Sequence, residues 1–336
     1  MNASDNNQYH LGFDLGGTKM LAVVYDQDLQ PLQRERVRTN GHEGQEAVVE
    51  RLLQSIESVC NAADIPTNRL ASIGIGVPGS VNMATGDVLG AVNLGWKSVP
   101  LGEILRDRYD CPVEILNDVD AGVYGESQCG AGKDGQNVMG VFPGTGIGGG
   151  AVFSGEIITG RQQTAMEIGH IQVVADGIRC GCGKRGCLET VASRLAIAGY
   201  AAQAAYRGSA PYLFSEVGTD LREIRSGVLS RSVAHGDIAV EQIIRQACGY
   251  LGQAIGTIVT LFAPDIIILG GGLVQALPEL IVEATQTAAL ESTISVLHDS
   301  FEIRVAQLGD DASVLGAALW GARSCQTKAA SGKRAV

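Results

Sequence analysis

The sequence predicts an α/β protein of two domains facing each other across a cleft, each built on a mostly parallel sheet. Three observations predict it. Short apolar runs that end at glycine or aspartate alternate with stretches of helical apolar spacing. The N-terminal pattern of strand, glycine-rich turn and strand around DLGGTK is echoed mid-chain by GTGIGGG, which points to two related units. The composition, 45% hydrophobic and 18% charged over 336 residues, supplies apolar surface for two cores.

Taken in order, residues 1–9 read as a polar tail, and His10–Asp26 as two strands of alternating apolar positions around a Gly-Gly turn. Gln45–Ala63 sets Val48, Val49, Leu52, Leu53 and Ile56 at helical spacing, and Leu70–Gly79 is a buried strand running into a Gly-Pro loop. A polar loop over Asn82–Lys97 leads to a short helix near Leu101–Tyr109. The strand Pro112–Leu116 then stops at Asn117-Asp118. In parallel sheets functional residues gather at such carboxyl ends. The second half repeats the opening with Asn137–Phe142, the Gly144–Gly150 turn and Ala151–Phe153. Helices follow at Ala192–Tyr206 and Ile238–Phe262. Pro264–Leu269 is a buried strand ending in Gly270–Gly272, with a helix from about Leu277. Ile303–Gln307 is the last strand, and Asp310–Ala322 a final helix that Asp310 or Asp311 can cap. The expected domains are 10–116 joined by 312–324, and 117–311; residues 325–336 form a second polar tail.

A net charge of −11 and a pI near 4.9 argue against nucleic-acid or anionic-membrane partners. No export segment and no apolar run of about 20 residues occur. The eight cysteines, five of them scattered, suit a reducing compartment, so the expected location is cytoplasmic.

Chemistry concentrates between Glu167 and Glu189. His170, Cys180, Cys182 and Cys187 form a set of four tetrahedral zinc ligands in a polar, glycine-rich stretch, although buried thiols beside a core histidine are the plainer alternative. With every position filled by protein the zinc is structural, leaving Glu167 and Glu189 to be held for another purpose. Gly144-x-Gly146-x-x-Gly149 matches a dinucleotide fingerprint only formally, since a strand follows it where a helix is required. Three loops instead share a nucleotide: Asp14–Lys19 (with Gly16, Gly17, Thr18 and Lys19), Gly144-Thr145-Gly146, and the turn with Gly271 and Gly272. Each alone is also a plain tight turn. Asp14 is placed to hold Mg²⁺ or to stabilise its turn. Asp118 is a general base toward a hydroxyl or a helix cap, with Asn117 positioning the same substrate in the first case.

DLGGTK, GVPG (Gly76–Gly79), Asn117-Asp118, GTGIGGG, EIGH (Glu167–His170), CGCGKRGCLE and LGGG stand in the order seen in ROK proteins, and the chain resembles that family from about His10 to Ala322. The resemblance implies the two-domain hexokinase/actin-like ATPase (ribonuclease H-like) fold and an ATP-dependent sugar kinase. It also implies that Asp118 takes a proton from the sugar hydroxyl, that Asn93, Asn117, Glu167, His170 and Glu189 contact the sugar, and that the protein is a homodimer. Partners are then a small-molecule sugar and ATP, with Mg²⁺ and structural Zn²⁺ as cofactors. The family's repressors carry a DNA-binding segment before the first glycine loop, where this chain has only a short tail. NLGW (Asn93–Trp96) and AMEIGH look like the glucokinase branch rather than the fructokinase branch. Met166 stands where relatives commonly have glycine, which bears on the choice of hexose. The alternatives are a kinase for N-acetylglucosamine, N-acetylmannosamine or fructose, a donor such as polyphosphate, and a sugar-binding regulator without catalysis.

Overall fold

The computed structural model describes residues 9–161 and 163–332. The first half runs β1 (Tyr9–Leu15), β2 (Lys19–Tyr25), β3 (Pro31–Arg38), α1 (Gln45–Ala62), β4 (Leu70–Val77), β5 (Ser80–Asn82), β6 (Asp87–Gly90), α2 (Leu101–Arg108), β7 (Val113–Asn117) and α3 (Asp118–Cys129). The second runs β8 (Asn137–Pro143), β9 (Ile147–Phe153), β10 (Glu156–Ile157), α4 (Glu189–Ala192), α5 (Arg194–Tyr206), α6 (Pro211–Val217), α7 (Ser226–Ala234) and α8 (Ile238–Phe262). It closes with β11 (Ile266–Leu269), α9 (Gly272–Ala276), α10 (Pro278–Ser292), β12 (Glu302–Val305) and α11 (Ala312–Gly332).

Two five-stranded sheets result, ordered β3-β2-β1-β4-β7 and β10-β9-β8-β11-β12. The orders are the same: an antiparallel hairpin whose first strand pairs in parallel with a later strand, which in turn pairs in parallel with a third. The two glycine-rich turns fall at equivalent places, between β1 and β2 and between β8 and β9, so the echo in the sequence is an echo of topology. The chain divides into one unit comprising residues up to Gly130, Ile157–Ala165 and the segment from Asp310, and a second comprising Ala131–Glu156 and Met166–Gly309.

The first unit buries Leu11, Phe13, Leu15, Ile73, Ile75 and Ile115 from its sheet against Leu52 and Ile56 of α1. On the opposite face Val314 and Ala318 of α11 pack on Leu21, Val23 and Tyr25. The unit ends at Gly130 rather than at the expected Leu116. The reason is α3, which packs on α11, with the Tyr124 and Trp320 rings edge to face at 4.9 Å. The segment 157–165 joins the same unit, where the Gln163 side chain accepts from the Met83 amide (3.1 Å). Of the expected tail at 325–336, residues 325–332 continue α11 instead, with Cys325 Sγ donating to the Ala71 carbonyl (3.0 Å), and residues 333–336 lie outside the described residues. The N-terminal tail, except Tyr9, lies outside the described residues. Asp310 and Asp311, expected as caps, lie in a single helical turn before α11 and pair with Arg36 (3.2 Å) and Arg34 (2.6 Å) of β3.

Candidate active site

In the first unit, three parallel strands deliver the candidate residues to one edge of the sheet. Asp14 of β1 pairs with Gly76 of β4, and Gly76 with Leu116 of β7. Asp14 and Asp118 therefore flank β4 at the strands' carboxyl ends, about 10 Å apart at strand spacing. The question of which residue caps α3 is resolved by Asn117: its Oδ1 accepts from the amides of Val119 (2.8 Å) and Asp120 (3.2 Å), and its Nδ2 donates to the Gly79 carbonyl (2.9 Å). That amide ties the Gly-Pro loop to the end of β7. Asp118 stands one residue further, at the helix N-terminus, where Oδ1 accepts from Val119 N (3.0 Å). Although Asp118 still meets solvent, protein crowds its carboxyl. Burial, reinforced by the charge of Asp14, pushes it up to about 7. Asp14 is itself held above the ordinary carboxylate range by burial, opposed by a hydrogen bond from Ser313 Oγ to its Oδ1 (3.0 Å).

The turn between β1 and β2 closes with Gly16 N donating to the Lys19 carbonyl (3.0 Å). A second segment braces it: Thr39 Oγ1 donates to Gly16 O (2.6 Å) and Thr39 N to Thr18 O (2.9 Å). Beside the turn opens a cavity of about 690 Å³, lined by Gly17, Thr18, Lys19 and Asn93 and also by Arg38, Asn40 and His42. The last three carry no signal in the sequence. Arg38 ends β3, an exposed edge strand rich in charge that reads as loop, and Asn40 adopts a left-handed backbone (φ 50°) that reveals itself only in the fold.

In the second unit the glycines of β9 serve packing. A Cβ at Gly149 would stand 2.5 Å from Ile168 Cγ2 and 2.7 Å from the Met166 carbonyl, so the strand lies directly on the turn that carries Glu167 and His170. Ile168–His170 is a single 3₁₀ turn following Glu167, and Met166 before it takes φ 63°, a conformation that disfavours any side chain.

His170, Cys180, Cys182 and Cys187 converge, with one ligand atom from each lying within 4.8 Å of all the others. The separations fit zinc. Cys182 and Cys187 sulfurs are 3.6 Å apart, and Cys180 Sγ is 3.6 Å from His170 Nδ1, against about 3.7 Å for a tetrahedron with Zn–S bonds of about 2.3 Å. Glu189 starts α4 within this cluster. Its Oε1 accepts from Cys180 Sγ (2.8 Å) and lies 3.7 Å from His170 Nδ1, while Oε2 rests against the Gly146 turn.

Gly270–Gly272 packs on Phe142 and Pro143 at the end of β8, which brings this turn beside Gly144–Gly146. A cavity of about 630 Å³, lined by Arg194, Leu195, Leu221, Arg222, Arg225, Ser226 and Gly227, adjoins both: Arg194 Nη2 donates to Thr145 Oγ1 (3.3 Å), and Ser226 faces Gly272. Leu221, Arg222 and Arg225 of this cavity lie on the connection between α6 and α7, which carries no motif in the sequence. Among the described residues no helix is long and apolar enough to cross a membrane.

The ROK family model matches residues 10–324. A glucokinase of Halalkalibacterium halodurans is 31% identical over 93% of this chain and 94% of its own. An N-acetyl-D-glucosamine kinase of Pectobacterium carotovorum is 28% identical over 92% of this chain and 98% of its own. A ROK family glucokinase of Streptomyces griseus, solved with glucose and AMPPNP, superposes with a TM-score of 0.79 at 30% identity, covering 94% of this chain and 99% of that one.

Proposed function

The chain belongs to the ROK family, and on that premise we propose that it is an ATP-dependent sugar kinase whose substrate is glucose and whose product is glucose 6-phosphate. Asp118 carries the reading. With Asn117 serving as the helix cap, the Asp118 carboxyl is left to accept a proton, and its titration near neutrality is that of a general base at working pH.

Asp118 takes the proton from the sugar's 6-hydroxyl as that oxygen attacks the γ-phosphorus and ADP leaves. Phosphoryl transfer depends mostly on placement and charge. Amides and hydroxyls suited to phosphate oxygens stand on the Gly16–Lys19 turn with Thr18 in the first unit and, within the second, on the adjacent Gly144–Gly146 and Gly271–Gly272 turns with Thr145. The nucleoside takes the cavity lined by Arg194, Leu195, Leu221 and Ser226. Asp14, an oxygen donor oriented by Ser313, suits Mg²⁺, which when bound neutralises charge on the donor phosphates. Groups suited to the sugar's other hydroxyls are Asn93 in the first unit and, within the second, Glu167, His170 and Glu189. Asn117 contacts the sugar as well as holding the backbone at the end of β7. His170, Cys180, Cys182 and Cys187 would hold zinc, which when bound would crosslink the segment that bears those acids.

Glucose is favoured by the 31% identical glucokinase and by NLGW, whose Asn93 lines the cavity beside the first glycine turn. One observation supports a second reading: Met166 adds bulk and a strained backbone next to Glu167, and an N-acetylglucosamine kinase lies among the relatives. A panel of glucose, N-acetylglucosamine, N-acetylmannosamine and fructose with Mg·ATP and with polyphosphate decides. Because a site built for a hydroxyl rejects analogues lacking it by about 10⁴-fold, kcat/KM for glucose with ATP is expected to exceed that for N-acetylated sugars by orders of magnitude. A preference for an N-acetylated sugar overturns the choice of glucose. Sugar binding without turnover overturns the kinase.

A further inference from the structure

The end of β1 is organised by a residue from the last helix. Ser313, in the first turn of α11, donates its hydroxyl to Asp14 Oδ1 (3.0 Å) across 299 positions of sequence. The start of that helix is tethered: Asp311 and Asp310 just before it pair with Arg34 and Arg36 of β3. Asp14, Arg36 and Asp310 line a small cavity of about 300 Å³ together with Lys19, Met20 and Leu21. Between Asp14 of β1 and Asp118, which follows β7, β4 presents a glycine, Gly76. A Cβ at Gly76 would stand 2.6 Å from Ser313 Oγ and 3.4 Å from Asp118 Cα. The sheet edge is therefore cut to admit this one hydroxyl against Asp14.

We infer that Ser313 is a positioning residue for the donor's divalent cation: its hydroxyl engages Asp14 Oδ1 and fixes the carboxylate that would hold the cation or its waters. This rests on the reading of Asp14 as the Mg²⁺ residue. Groups that orient a metal-binding side chain typically contribute 10- to 100-fold to metal affinity. The exposed ion pairs next to it contribute little to stability by themselves; their effect is to hold the start of α11 where the serine reaches Asp14.

The test is a double-mutant cycle on the full-length protein with Ser313→Ala and Asp14→Asn. Calorimetry measures affinity for Mg·AMPPNP and for AMPPNP without metal, and thermal unfolding reports the fold. Ser313→Ala is expected to weaken Mg·AMPPNP about tenfold, to leave metal-free AMPPNP within twofold, and to have no further effect in the Asp14→Asn background. Equal weakening with and without Mg²⁺, or the same loss in both backgrounds, overturns the positioning role. If Asp14→Asn itself leaves Mg·AMPPNP affinity unchanged, the reading of Asp14 fails instead, and the two failures are distinct.

Discussion

Replacing Asp118 by alanine is expected to lower kcat for sugar phosphorylation about a thousandfold while changing sugar affinity less than tenfold. The effect follows from the division of labour at the end of β7. Asn117 satisfies the first amides of α3, so the substitution at position 118 removes the proton acceptor and leaves the cap in place. Stability moves in the opposite direction. The folded carboxyl titrates near 7, above its value in an unfolded chain, so its ionised form is disfavoured by folding. That cost is absent below the unfolded pKa, grows as pH rises toward 7 and is complete above it. At pH 8 the variant should therefore melt no lower than the parent. A variant that keeps the parental rate removes Asp118 from the chemistry.

Loss of the metal cluster is expected to produce the second large effect. A structural zinc contributes on the order of 10 kcal/mol to the folding of small peptides. Even a third of that lowers Tm by roughly 10 °C in a domain of this size. Cys187 is fully buried, and the segment around it supplies both Glu189 and, through the Ile171–Leu188 backbone contact, support for the turn of Glu167 and His170. Cys187→Ser is expected to lose bound zinc, lower Tm by about 10 °C and raise KM for the sugar at least tenfold. The mutant and a chelated wild type are compared by metal analysis, thermal unfolding and initial rates. Unchanged Tm and KM in zinc-free protein would separate the cluster from both stability and sugar binding.

Much of this was legible in the residues, for physical reasons that also explain the gaps. The strands β1, β4, β7, β8 and β11 are buried apolar runs with abrupt glycine or aspartate endings, so their existence and the placing of Asp14 and Asp118 followed from pattern. The cysteines and His170 have few other roles in so polar a loop, and they do converge. What remained hidden depends on contacts distant in sequence. Nothing near Ser313 announces Asp14, and nothing near Tyr124 announces Trp320, the contact that moves the unit boundary from Leu116 to Gly130. Asn117, expected to touch the sugar, also holds backbone with its amide at both ends, a role that only the loop at Gly79 reveals. Gly149 looked like part of a nucleotide fingerprint and is a packing glycine beneath Ile168. Edge strand β3, with Arg34, Glu35, Arg36 and Arg38, is too charged to read as strand but anchors the start of α11 through two of those arginines.

The most direct test of the central claim, that a buried Asp118 is the general base, is the pH dependence of kcat/KM for glucose at saturating Mg·ATP. The base acts ionised, so kcat/KM should be level above pH 8, bend near pH 7, where burial and the Asp14 charge set the carboxyl, and fall about tenfold per unit below it. Substituting Asp118 should abolish that limb. A profile that stays level down to pH 5, or an unchanged limb in the Asp118 variant, would contradict the assignment.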